Sequence, residues 1–213
     1  MIKNSEVPNL MVSVDPSYKG MGISILSEGK IILKQIRTEE KIIKFQDCFW
    51  GSTELYKKFS YLSTLKLEQE ITDKRFLMEI PPMHGIMSPG LFLLDGHVMR
   101  WFYTRGFESF GVSCKTCQSI LKLKRADKKV SIQFLNDFKV HFQLPVYTLE
   151  GDRLQLVNKE DRIKSDNLCE SLILMITFAY IQDWGEKVFP NFLKYTQKNL
   201  DEIEVVAFNR EVK

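Results

Sequence analysis

Asp15 ends the apolar run Leu10, Met11, Val12, Ser13, Val14, a place where burying a carboxylate costs several kcal/mol unless a partner offsets it. Pro16 follows and favours extended geometry for the residue before it, so Asp15 stands at the end of a strand. Glu79 repeats the pattern behind Phe76, Leu77 and Met78. Asp166 and Glu170 are four residues apart, which places both carboxylates on one face near the start of a helix. Singly, each acid reads as a helix cap or an ion-pair partner. Together they offer an oxygen-only cage for hard divalent cations, of which Mg²⁺ takes a few carboxylates and completes its shell with water and phosphate oxygens. Two such ions activate a water and stabilise the leaving oxygen of a phosphodiester, so the chemistry indicated is phosphodiester hydrolysis.

The elements that must position these acids are legible from periodicity. Leu10–Asp15, residues 22–26 and Lys30–Arg37 read as three antiparallel strands, the last two joined by the turn Ser27, Glu28, Gly29. Between residues 39 and 71, Leu55, Phe59, Leu62 and Leu65 recur at helical spacing. Residues 75–80 form a short strand stopped by Pro81 and Pro82. Helices are expected over Pro89–Tyr103, over 114–121, through Asn136 to Phe142, over Asp166–Ile181 with Ser165 as N-cap, and over 186–200. A strand is expected at 108–112, and residues 144–162 read as a long polar loop. Alternating strands and helices make this an α/β fold with a mixed central sheet.

With 213 residues, 44% hydrophobic and 27% charged, the chain is one domain of ordinary globular composition, not a disordered or repetitive one. Thirty Lys plus Arg against 27 Asp plus Glu leave only +3, a sum that announces no polyanionic partner. It conceals a cluster: Lys122, Lys124, Arg125, Lys128 and Lys129 place five positive charges within eight residues, offset by Asp127. Such a run binds phosphates without reading sequence, or simply solvates a helix end. Lys41, Lys44, Lys57 and Lys58 read as an exposed helix face. Cys48, Cys114, Cys117 and Cys169 are too few for a disulfide framework and indicate a reducing, cytoplasmic setting. The pair Cys114 and Cys117 lacks the second pair that a structural zinc site needs. No apolar stretch approaches the ~20 residues of a membrane span, and the apolar run at the N-terminus is shorter than the roughly 7 to 15 residues of a signal-peptide core.

The segment SVDPSYKGMGISIL, residues 13–26, resembles the first strand of RuvC-type Holliday-junction resolvases, with Asp15, Pro16, Ser17 and Gly22 on the family's pattern. FLMEIPPMHG, residues 76–85, looks like the strand that carries that family's catalytic Glu, here Glu79. KSDNLCESLILM, residues 164–175, is similar to the C-terminal motif of the mitochondrial and poxviral branches, with Lys164, Asp166, Asn167, Glu170 and Ser171 falling on it. Two positions depart from the motif, Asn167 and Glu170, each normally Asp. Asn can offer a neutral oxygen and Glu reaches one methylene further, so Asn167 is carried with Asp15, Glu79, Asp166 and Glu170 as a metal ligand.

The resemblance implies an RNase H-like domain over residues 1–213, with 185–213 as a helical extension. It also implies a Mg²⁺-dependent nuclease, Mn²⁺ able to substitute, that resolves four-way DNA junctions by paired nicks as a homodimer. Residues 122–129 would contact the junction arms. Met83 and His84, in the loop after Glu79, would press into the crossover or form the tip of a rigid Pro-Pro turn. Two rival functions remain: an RNase H-like nuclease acting on flaps, branched DNA or RNA-DNA hybrids, and a junction-binding protein without turnover.

Overall fold

Alternation along β1 (Leu10–Asp15) decides the layering of the molecule. Leu10, Val12 and Val14 join one core with Ile23, Ile25, Phe76 and Met78, while Met11 joins a second core with Leu26, Leu77 and Phe110. A strand buried on both faces must be covered by elements on both sides. The computed structural model describes residues 5–17, 20–37, 57, 71–80, 89–113, 128–196, 200, 203 and 205–208.

Strands β2 (Gly20–Ser27) and β3 (Lys30–Arg37) continue β1 as an antiparallel meander. Glu28 and Gly29, with φ of 49° and 68°, make the left-handed two-residue turn that a twisted hairpin requires. β4 (Lys74–Ile80) pairs parallel to β1, and β5 (Glu108–Ser113) parallel to β4. The completed sheet has the order β7-β6-β3-β2-β1-β4-β5-β8. This is the mixed central sheet of the α/β fold expected from the sequence.

Helix α1 (Pro89–Tyr103) covers one face, where Leu94, Val98, Trp101 and Phe102 meet the first core and Phe102 stacks on Phe76 at 3.9 Å between ring centroids. The other face is covered by α3 (Asp166–Ile181), which lies across β1 and β2 with α2 (Lys128–Phe138) beside it. Ser165 caps α3 as expected, its hydroxyl accepting from the Leu168 amide. The expected apolar stripe is in fact a helix buried all round: only Asp166 and Glu170 escape full burial. Among the described residues no helix is long and apolar enough to cross a membrane.

Four expectations are corrected. Residues 144–162 are not a loop throughout; they hold the hairpin β6 (Val146–Glu150) and β7 (Arg153–Leu156), which adds to the sheet beside β3. The strand signal Val146, Tyr147, Thr148 and the turn glycine Gly151, at φ 58°, were outweighed by the polar residues around them. The helix expected over 186–200 is only α4 (Gly185–Val188) and a 3₁₀ turn over Phe192–Tyr195. Pro190 has no N–H to donate and Asn191 adopts φ 73°, so the helix cannot run through them. The C-terminal extension is therefore not purely helical, since β8 (Val205–Ala207) pairs antiparallel to β5. The helix through Asn136 ends at Phe138, and Lys139–His141 tightens to 3₁₀. Most of 39–71, the helix expected at 114–121 with Cys114 and Cys117, and residues 81–88 lie outside the described residues.

Candidate active site: a carboxylate cluster beside the first turn of α3

Asp15 is the last residue of β1 and is 5% exposed. The parallel register pairs Val14 with Met78, so the next residues along, Asp15 and Glu79, stand side by side at the ends of β1 and β4. Both follow the alternation onto the face that α3 covers, the face of Ser13 and Leu77. Three serines lock α3 there: the Ser13 hydroxyl donates to the Ser171 carbonyl at 2.7 Å, and the Ser24 and Ser171 hydroxyls bond at 2.8 Å. Glu170, one residue before Ser171, is thereby set over the ends of β1 and β4.

The start of α3 is seated just as closely. Asn167 Nδ2 donates to the Gly20 carbonyl at 3.1 Å. Gly22, opposite Asp15 in the sheet, has no side chain because α3 leaves no room: a Cβ there would lie 2.0 Å from the Asn167 carbonyl oxygen. Thus Asn167, a candidate ligand by sequence, docks the helix onto β2 through its amide nitrogen.

Burial first, then the charges of Glu79 and Glu170, push the Asp15 carboxyl well above the usual carboxylate range. Asp15 thus stands among carboxylates that favour its neutral form. Glu170 is raised too, by burial and by Glu79, although Lys128 and Asp15 oppose the shift. At Asp166 partial burial is outweighed by the Lys128 ammonium, which ion-pairs with Oδ2 and holds this carboxyl below its ordinary value. The site therefore contains one acid pushed up by burial and by its neighbours and one pulled down by a lysine.

Lys128, read from sequence as a phosphate contact, is brought into this cluster, and its own pKa is raised by the bond to Asp166. Lys129 is exposed on the same helix turn. Lys122, Lys124, Arg125, Met83 and His84 lie outside the described residues. Sequence reasoning missed Asp95, a residue on the core-facing stripe of α1 that is 6% exposed, with both carboxyl oxygens buried and unpartnered. Burial and then the charge of Glu79 push it up to about 7. The available signal was an acid in register with Leu91, Val98 and Phe102, where helical periodicity demands an apolar residue.

Among the described residues, no group of three or more His, Cys, Asp or Glu side chains is spaced as a ready metal cage. Asp15, Glu79 and Glu170 instead lie close enough for each to bear on the charge of Asp15. Their chemistry nevertheless fits a hard divalent cation, because the donors are all oxygen and the cluster carries a buried negative excess that a cation would relieve.

No protein-family model matches the chain, and no curated protein matches it by sequence. Two solved structures similar to it are both RuvC of Thermus thermophilus. In the complex with a Holliday junction substrate the identity is 11%, over 83% of this chain and 96% of that one, with a TM-score of 0.49. For the other RuvC structure the identity is 10%, over 81% and 95%, with a TM-score of 0.47.

Proposed function

We propose that the chain is a Mg²⁺-dependent, structure-selective DNA endonuclease whose substrate is the four-way junction, cut by paired nicks within a homodimer. The observation that carries this reading is the convergence of Asp15, Glu79 and Glu170 against a helix in which only Asp166 and Glu170 escape full burial. Nothing in folding demands acids at these places, since burying several like charges together is unfavourable without a counter-ion. Asp15, Glu79, Asp166 and Glu170 would hold the metal, with Mn²⁺ able to replace Mg²⁺. A bound divalent cation supplies an ionisable water at neutral pH and neutralises charge on the leaving oxygen. The chain's own part is to keep Asp166 ionised through Lys128, to exclude water from Asp15, and to hold Glu79 and Glu170 against it. The choice of substrate follows the three sequence motifs around Asp15, Glu79 and Asp166.

A second reading, a junction-binding protein without turnover, is favoured by one feature: Asn167 supplies no charge where the resembling motif has an acid, and its amide is used on Gly20. Incubation of an end-labelled four-way junction with Mg²⁺, with EDTA, and with the Asp15→Asn variant separates the two. The nuclease reading expects symmetric nicks that vanish in EDTA and fall at least about a thousandfold in the variant, the scale of losing a transition-state charge stabiliser. Binding with no nicks under any condition would leave the binding protein. Asymmetric nicks, or cutting of flaps or RNA-DNA hybrids in preference, would reassign the substrate.

A further inference from the structure

A groove of about 420 Å³ opens at the first turn of α3, one residue from Asp166, between the end of β3, the β6–β7 hairpin and the segment leading into α3. Its polar lining comprises Gln35, Arg37, Thr148, Gln155, Arg162 and Lys164. Three cations thus face it, Arg37 from the end of β3 and Arg162 and Lys164 from the segment leading into α3. The single acid at its edge, Asp161, is occupied locally, its Oδ2 accepting from the Asn158 amide at 2.8 Å and from Asn158 Nδ2 at 3.0 Å. Arg162 Nη2 donates to Gln133 Oε1 at 2.6 Å, a bond to a neutral amide that orients the guanidinium without cancelling its charge. Arg37 Nη2 donates to Gln35 Oε1 at 3.0 Å.

The groove also lies in a definite relation to the acids. Its floor includes Ser165 and Leu168 in the first turn of α3, and Ser165 directly precedes Asp166. Gln35 pairs with Gly22, which pairs with Asp15. The first turn of α3, seated on Gly22, thus stands between the acids and the groove, and a strand passing in front of that turn meets both. Planar guanidinium forks and an ammonium at a polar, open channel suit successive phosphate groups, while the amides of Gln35 and Gln155 can donate to sugar or phosphate oxygens.

We infer that this groove is a DNA-backbone track, in which Arg37, Arg162 and Lys164 take consecutive phosphates of one substrate strand on its way to or from the cut site. The assignment rests on the nuclease reading and adds a contact surface beyond residues 122–129. It gives affinity and register rather than sequence preference, since phosphate contacts carry no base information.

Fluorescence anisotropy with a labelled four-way junction in EDTA, over about 50 to 300 mM salt, tests it on the full-length chain. The triple variant Arg37→Ala, Arg162→Ala, Lys164→Ala should lower the slope of log affinity against log salt by two to three, at about 0.9 per phosphate contact. Arg153→Ala, on exposed β7 outside the groove lining, should leave the slope unchanged. All three substituted side chains are exposed or reach the surface, and matching melting curves would establish that the variant is folded; if it is not, the three single variants should each lose about one unit of slope. A wild-type slope in the groove variants, or an equal loss in Arg153→Ala, would overturn the track while leaving the nuclease reading intact. Failure of the wild-type chain to bind any branched DNA would overturn both.

Discussion

At the scale of single residues, the site is a set of acids whose environments push them apart. Burial, then Glu79 and Glu170, push the Asp15 carboxyl up, and a carboxyl that ionises to hold a cation makes uptake release protons and tighten as pH rises. Asp95 offers a separate check on burial. Its folded value of about 7 stands above the ordinary 3.8. The stability that its protonated form contributes is therefore complete below about pH 4 and is lost as pH rises to 7. Asp95→Asn should be close to neutral at pH 4 and stabilising by about 2 kcal/mol at pH 8, read from urea unfolding at both values; an equal effect at the two pH values would contradict the burial argument. Asp15, Glu79, Asp166 and Glu170 could be singled out in the sequence because each breaks an apolar pattern at the end of a strand or the start of a helix. Their meeting could not, because it depends on the parallel pairing of β1 with β4 and on the seat of α3. Lys128 was legible as a charge but not as the partner of Asp166, 38 residues away.

At the scale of elements, the site depends on how α3 rests on the first hairpin. Gly22 permits that contact, and Gly22→Ala would drive a Cβ to 2.0 Å from the Asn167 carbonyl. Because the obstacle is backbone, helix and strand must separate. The variant should lose about 3 kcal/mol in denaturant unfolding and with it the cation affinity of the site. Ser171→Ala removes the hydroxyl shared with Ser24 and should cost about 1 to 2 kcal/mol, with a smaller effect on the acids. The strands, α1 and α3 were readable because each has a clear period and a clear stop, such as the Ser165 cap or the Glu28 and Gly29 turn. The β6–β7 hairpin was not, since β7 is exposed throughout and carries no alternation of burial to betray it. The C-terminal helix failed for a different reason: local periodicity ran past Pro190 and Asn191, whose backbone geometry breaks it.

At the scale of the whole molecule, a net charge of +3 is the sum of unlike regions rather than a neutral surface. The carboxylate cluster borders a groove bearing Arg37, Arg162 and Lys164, and a basic run occupies residues 122–129. The outer side of α1 exposes Phe92 at 54%, Leu93 at 41% and Tyr103 at 50%, and a homodimer, as the proposed paired nicking would require, would have a candidate surface there. Light scattering should give twice the chain mass, and Phe92→Asp with Leu93→Asp should halve it without unfolding the protein; a wild-type monomer would contradict paired cutting by two preassembled sites. The central claim is that the carboxylates form one cation site, and isothermal titration calorimetry of the full chain with Mn²⁺ at pH 6 and pH 8 tests it most directly. Binding should be at least tenfold tighter at pH 8, should release protons measurable as a dependence of the heat on buffer, and should be abolished by Asp15→Asn. Binding that is indifferent to pH and retained in Asp15→Asn, or no binding by the wild-type chain, would contradict it.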